Sequence, residues 1–347
     1  VGGVPLKRSN PLLVFIAGMA AGFFLAIQFR AEENDQAILL LEKTLRAPAE
    51  TQYHATSVTY CYLPKELKVR AEVWHKGPYR ERITYLSGPM KGYTIGCDGL
   101  RNWQSNANAT QIKVAGRRAS DDQAKQRFDL LVRNYQVTLD GVARIARRRV
   151  YILTIKPRNP GNPWKRLWVD QVTAVALRTD DYLPNNRLKT RTILETIDYS
   201  APIDDSLFDV PASAAGGLQS VPTTSTRAMP PDLIREIYQL DPPPPRYLPR
   251  GYELERHYLY QCECGDKAVL MRFIDGLNTI SVFAIPTATD AATAGEGSDA
   301  AVRENCCIIG ENLPSVTVKH KGRDYRIVVL GDIAEGELRR VMDSFQS

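Results

Sequence analysis

The sequence predicts an α+β fold twice over in one chain, and three observations carry that prediction. Short runs rich in Val, Thr, Tyr and Trp recur from His54 to Tyr199 between Gly- and Pro-bearing turns, the pattern of an antiparallel sheet. Helical periodicity precedes this series of strands at Glu33–Arg46 and interrupts it once, at Ser120–Val132. A stretch from Ala212 to Met229, rich in Ala, Gly, Ser, Thr and Pro and without periodicity, then separates a second and shorter set of strands closed by an amphipathic helix. With 347 residues the chain exceeds what one compact core usually holds, which agrees with two domains.

At the N-terminus, Lys7 and Arg8 precede an uncharged apolar run from Pro11 to Ile27, and Glu32, Glu33 and Asp35 follow it. As a helix the run measures about 25 Å, close to the roughly 30 Å hydrocarbon core of a bilayer. Gln28 and Phe29 extend it, and Arg30 can snorkel to the interface. The charge bias keeps the N-terminus in the cytoplasm and exports everything after Arg30. The exit Leu25–Arg30 lacks the pair of small residues that a signal peptidase needs. An uncleaved single-pass signal anchor over residues 1–30 is therefore expected, with a removed signal peptide and a buried core helix as alternatives. The expected location is the inner (cytoplasmic) membrane, with the following domains on the periplasmic side.

In an exported chain, cysteines are read as disulfides. Cys61 and Cys97 are expected to pair, and Cys262 and Cys264 to bridge to Cys306 and Cys307. A four-thiolate zinc site built from the last four is the sharper alternative, but one and zero intervening residues fit poorly the spacing that lets two sulfurs share a metal.

Taken in order, the exported part opens with a helix over Glu33–Arg46, where Ala37, Leu40, Leu41 and Leu45 recur at three- and four-residue spacing before Pro48. Five strands on short connections follow, from His54 to Ser105. Ser120 to Val132 reads as a second helix, with Ser120 as N-cap and Asp121 and Asp122 at its positive end. Strands then resume at Tyr135–Leu139, Val142–Lys156, Lys165–Asp170, Ala174–Thr179 and Arg187–Tyr199. The Val150–Ile155 run is apolar on both faces, as a central strand requires. Domain boundaries follow: 31–211, a linker over 212–246 that ends in Pro242–Pro245, and 247–347. The last domain holds five strands and a helix over Ile333–Phe345, with an Ala/Thr/Gly insertion from Thr287 to Ala300. A large one-layer sheet must cover one face, and two helices laid into its concave side would leave an apolar cleft.

The chemistry-bearing motifs are missing. The four histidines, His54, His75, His257 and His320, are not in metal-binding spacing, and no nucleophile elbow, phosphate loop or dinucleotide fingerprint is present. An enzyme is not expected, and neither is a cofactor or a metal. Net charge is a modest +6, and the basic clusters Arg117-Arg118 and Arg147-Arg148-Arg149 are not interleaved with aromatics, so nucleic acid is not indicated. A solvated face is the plain reading of those clusters, with anionic headgroups as the alternative.

Several phrases resemble one family. Arg272–Phe283, a hairpin turning at Asp275-Gly276, is similar to a hairpin in the C-terminal domain of the RseB/MucB proteins, periplasmic regulators of a membrane-spanning anti-sigma factor. Tyr53–Tyr60, Leu167-Trp168-Val169-Asp170 with Val175–Arg178, and Pro202–Pro211 resemble the LolA/RseB half-barrel of lipoprotein-sorting and RseB proteins. Leu248–Leu254 and Gly331–Ser344 resemble the entry and closing helix of the RseB C-terminal domain. The uncleaved anchor and the four late cysteines are not part of that pattern.

The resemblance implies a LolA/RseB-like curved antiparallel half-barrel with helices on its concave face, followed by a smaller α+β domain. It implies a non-enzymatic envelope regulator that binds an anti-sigma factor's exported segment, or another envelope protein, and senses a lipid or lipoprotein acyl chain. A carrier of lipoprotein acyl chains is the alternative. Trp74, Tyr85, Trp103, Leu153 and Trp168 are the candidate cleft residues, and Asp275, Gly276 and Leu277 the candidate partner contacts.

Overall fold

A computed structural model of the chain describes residues 35–106, 112–115, 121–211, 225–261, 267–287 and 313–346. The apolar run Pro11–Ile27, on which the signal anchor rests, lies outside the described residues, as do Cys262, Cys264, Cys306 and Cys307. Among the described residues no helix is long and apolar enough to cross a membrane.

The first unit begins with helix α1 (residues 35–50) and a meander of β1 (Gln52–Cys61), β2 (Leu67–Lys76), β3 (Arg80–Tyr85), β4 (Thr94–Asp98), β5 (Asn102–Ser105) and β6 (Ile112–Ala115). Helix α2 (Asp121–Asn134) leads into β7 (Tyr135–Ile145), β8 (Arg148–Pro157), β9 (Trp164–Asp170), β10 (Ala176–Tyr182) and β11 (Leu188–Asp198). These strands form one antiparallel sheet of 11 strands, ordered β6-β5-β4-β3-β2-β1-β11-β10-β9-β8-β7. The first strand is the seam between the two halves: Ala55 pairs with Val73 on one side and Ile197 on the other.

Helix α1 packs by its small and apolar stripe. Ala37 and Leu41, with Leu131 of α2, cover Tyr135, Val137, Leu153, Ile155 and Val169. Ala47 reaches a second cluster with Ala55, Val73, Val150, Trp168 and Leu177. The helix runs past Pro48, where the sequence suggested a stop. Pro48 contributes its carbonyl to His75, whose Nε2 donates at 2.8 Å, and the Thr51 hydroxyl bonds back to the Ala47 carbonyl at 2.7 Å.

The expected single strand over Val142–Lys156 is instead a hairpin. The chain reverses at Ala146 and Arg147, which take φ of 47° and 63°. That left-handed pair is the geometry of a tight hairpin turn, normally marked by Asn or Gly. Neither is present, so the strand pattern ran straight through the turn. Strand β6 was also unmarked in the sequence.

The second unit is a sheet of 6 strands, ordered β12-β13-β14-β15-β17-β16. They are β12 (Ser225–Ala228), β13 (Glu253–Gln261), β14 (Lys267–Ile274), β15 (Thr279–Pro286), β16 (Ser315–His320) and β17 (Arg323–Gly331). Helices α3 (Pro231–Tyr238) and α4 (Glu335–Asp343) bury Ile234 and Val341 against Leu259, Val269, Met271, Val282 and Ile327. Ser225–Ala228, expected as linker, is an edge strand paired with Tyr258–Gln261.

The register also corrects the first disulfide. Cys61 pairs with Leu67 at one end of β1 and β2, while Cys97 pairs with Glu81, which lies level with His75 and Tyr53 at the other end. The offset is eight residues along the strand and three strands across, or roughly 25 Å by 14 Å. A bridge needs Cα atoms within about 7 Å. Both cysteines are free thiols.

Candidate functional site

The two units meet at the Asp275-Gly276 turn between β14 and β15. The Asp275 side chain is fully buried. Its carboxylate accepts from the Tyr135 hydroxyl at 2.5 Å and Asn162 Nδ2 at 3.0 Å, both in the first unit, and from the backbone N–H groups of Leu277 and Asn278 at 2.9 and 2.6 Å. Asn134, the last residue of α2, donates through Nδ2 to the Asp275 carbonyl at 2.9 Å and the Gly251 carbonyl at 2.8 Å. Asn278 Nδ2 reaches back to the Tyr135 oxygen at 2.7 Å. Burial, then the Asp275 charge, pushes the Tyr135 hydroxyl above its ordinary titration range, so it stays a donor.

Gly276 makes the close approach possible. It sits at φ +100°, and a Cβ there would lie 2.2 Å from the Leu131 backbone nitrogen of α2. Only glycine tolerates both the left-handed backbone and that contact. Leu277 packs on the α1–α2 core. Around this centre, Arg127 Nε bonds the fully buried Glu255 at 3.0 Å, Arg272 grips the same carboxylate, and Arg133 pairs with Glu253. Of the turn expected to meet a partner protein, Asp275 and Gly276 are thus committed within the chain, and Leu277 alone of the three also lines the adjoining cleft.

Beside the joint lies a cleft of about 600 Å³ with walls from both units. The first unit supplies Trp164 and Tyr182, a cross-strand pair stacked at 3.8 Å, together with Lys165, Leu183, Lys189 and Thr190. The second supplies Leu277, Thr279, Ser281 and Leu330–Asp332. Lys189 Nζ crosses to Asp332 at 2.6 Å, and Lys165 pairs with Asp181 at 2.5 Å. Backbone and hydroxyl groups from two sheets, an aromatic shelf and opposed charges suit an extended polypeptide. The lining holds no His or Cys, and its carboxylates, Asp181 and Asp332, are ion-paired with Lys165 and Lys189. Among the described residues no His/Cys/Asp/Glu group could hold a metal ion.

The five candidate cleft residues are not brought together. Leu153 is fully buried under α1, and its cross-strand partner Leu167 is the neighbour of Trp168, so Leu153 and Trp168 project to opposite faces. Trp168 lies under the Arg178 guanidinium at 3.8 Å. Trp103 is buried over Gly96, where a Cβ would stand 2.2 Å from its ring, and its Nε1 donates to the Phe208 carbonyl at 2.9 Å. Trp74 stacks on His54 at 3.8 Å, and Tyr85 is half-buried opposite Ala71. Tyr135, Asn134, Asn162 and Asn278 went unnoticed in the sequence. Their role depends on contacts more than 100 residues apart, and no local pattern encodes those.

Residues 36–209 match the model of the MucB/RseB N-terminal domain. The chain belongs to the MucB/RseB family. Among solved structures, the complex of Pseudomonas aeruginosa MucA/MucB is similar over 88% of this chain and 97% of that one, with TM-score 0.58 and 20% identity. MucB in complex with MucA(peri) matches over 87% and 96%, with TM-score 0.53 and 20% identity. MucB alone matches over 90% and 97%, with TM-score 0.51 and 18% identity. These likenesses span both units of this MucB/RseB-family chain, so the two-unit fold is shared with MucB. Among curated proteins none matches.

Proposed function

We propose that this chain is a non-enzymatic regulator in the bacterial envelope that binds the exported segment of a membrane-spanning anti-sigma factor. The observation that carries the reading is the cleft between the units, in a chain of the MucB/RseB family. Two of the similar structures are MucB complexes with MucA, one of them with MucA(peri). A partner of that type supplies an extended segment whose backbone can meet Thr279, Ser281 and Thr190 while an apolar side chain rests on Trp164 and Tyr182. Lipid or lipoprotein sensing in the half-barrel belongs to the same proposal, and it rests on the resemblance. Trp103 and Leu153 are sealed in cores, so an acyl ligand would have to meet other side chains or displace α1. The signal anchor and the periplasmic placement of both units are likewise proposed, from the charge pattern around Pro11–Ile27.

The test is calorimetric titration of the full chain, in detergent, with the exported segment of the MucA-type anti-sigma factor from the same genome. A one-to-one complex is expected. Lys189→Glu, which sets two like charges against each other across the cleft mouth, should weaken it at least tenfold. No heat of binding with the correct segment would remove the proposal.

A further inference from the structure

The β7–β8 hairpin carries a surface that the partner cleft does not use. Its register places Val142 opposite Tyr151 and Arg144 opposite Arg149, all four on one face. The other face, with Ala143, Ile145, Val150 and Ile152, packs into the sheet's second core, so the hairpin is held in place. Two arginines directly opposite each other are unfavourable in a sheet. Arg147 adds a third charge at the tip from a left-handed backbone. Arg148 is neutralised by buried Asp170, but among the described residues none of Arg144, Arg147 and Arg149 has a carboxylate partner. The neighbouring turn is tied alongside by the Gln171 N–H donating to the Arg149 carbonyl at 3.0 Å. It presents Val172, 82% exposed, while on the hairpin face Val142 is 58% and Tyr151 36% exposed.

We infer that this hairpin face is a docking surface for an anionic phospholipid bilayer. Three uncompensated guanidinium groups match the sign of a phosphate-bearing surface. Tyr151 is of the type favoured at the headgroup level, and exposed Val142 and Val172 add apolar area that a bilayer surface can cover. The patch stands on a hairpin tip and an adjoining turn rather than in a groove, which suits a plane better than a peptide. Its placement is separate from the cleft, so this inference stands apart from the partner reading.

The experiment is flotation of the full chain with vesicles of phosphatidylcholine alone and of equal parts phosphatidylcholine and phosphatidylglycerol. Binding to neutral vesicles sets the baseline contributed by the apolar N-terminal run. Salt-sensitive extra binding to the anionic vesicles is expected, with slowed amide exchange confined to the hairpin and the Val172 turn. Each basic residue near such a surface is worth about fivefold, so the combined Arg144→Gln, Arg147→Gln and Arg149→Gln variant should lose roughly a hundredfold of that extra binding. The corresponding triple Lys variant keeps the charges and should retain it. The Gln variant should unfold no earlier than the parent, since an opposed like-charge pair is removed. Equal binding to both vesicles, extra binding that survives in the Gln variant, or its loss in the Lys variant would each overturn the inference. The last of these would point to bidentate recognition of a protein carboxylate instead.

Discussion

Removing the Tyr135 hydroxyl tests the joint with the least disturbance, because Tyr135→Phe keeps the ring that packs beneath α1. The lost group donates at 2.5 Å to a buried carboxylate and accepts from Asn278 Nδ2 at 2.7 Å. A hydrogen bond to a charged group is worth about 1.5–3 kcal/mol. Asn278 Nδ2 still reaches Asp275 at 3.3 Å and the Pro163 carbonyl at 3.4 Å, so it is not orphaned and the cost stays within that range. Asp275→Ala is more severe. It strands Tyr135, Asn162 and the N–H groups of Leu277 and Asn278 together, which is expected to cost about 3–5 kcal/mol, as losing one partner of a buried charged network does. Urea unfolding followed by tryptophan fluorescence measures both, with Asp275→Asn and Tyr135→Phe combined as a double-mutant cycle. A coupling energy above about 1 kcal/mol is expected. Additive effects, or a cost below about 0.5 kcal/mol for Tyr135→Phe, would show that the joint is not held by this network.

Gly276→Ala sets a Cβ against the α2 backbone and strains a left-handed residue, so it should cost about 2–5 kcal/mol and separate the units, seen as a larger radius of gyration in solution scattering. Unchanged scattering would contradict the close approach. Asp180 should govern acid stability. Its burial raises the carboxyl's pKa, but bonds from Arg178 and Arg191 outweigh that and hold it below the ordinary range. A depressed folded-state value stabilises above the unfolded pKa, near 3.9, and that stability is lost as pH falls through the lower folded value. Stability should therefore drop below about pH 4, and Asp180→Asn, already lacking the charge, should flatten that drop. Cys61→Ser and Cys97→Ser should leave the non-reducing unfolding midpoint unchanged, whereas a fall of several degrees in both would restore the bridge.

The two-unit plan was legible because strand alternation, Asp-Gly and Gly-Pro turns and the Ala212–Met229 composition are local signals, and the closing helix showed its apolar stripe at Leu338, Val341 and Phe345. The Ala146-Arg147 reversal was not, because two residues without Gly or Asn adopt a backbone that neighbouring strands impose. Strand β12 was hidden in linker-like Ser and Thr, where pairing to β13 rather than propensity decides. The hairpin at Asp275 shows both sides of this limit. Its turn was readable from Asp-Gly, yet the burial of Asp275 and the seating of Gly276 on Leu131 were not, since they depend on how two sheets dock.

Site-specific photo-crosslinking addresses the central proposal most directly. A photoreactive phenylalanine analogue at Leu183 and at Ser281 places a probe on each wall of the cleft, and one at Leu100, 67% exposed in the turn between β4 and β5, serves as control. With the exported anti-sigma segment present, adducts are predicted from both cleft positions and none from Leu100. Adducts from Leu100 alone, or none from either wall while the segment binds, would contradict the placement of the partner between the two units.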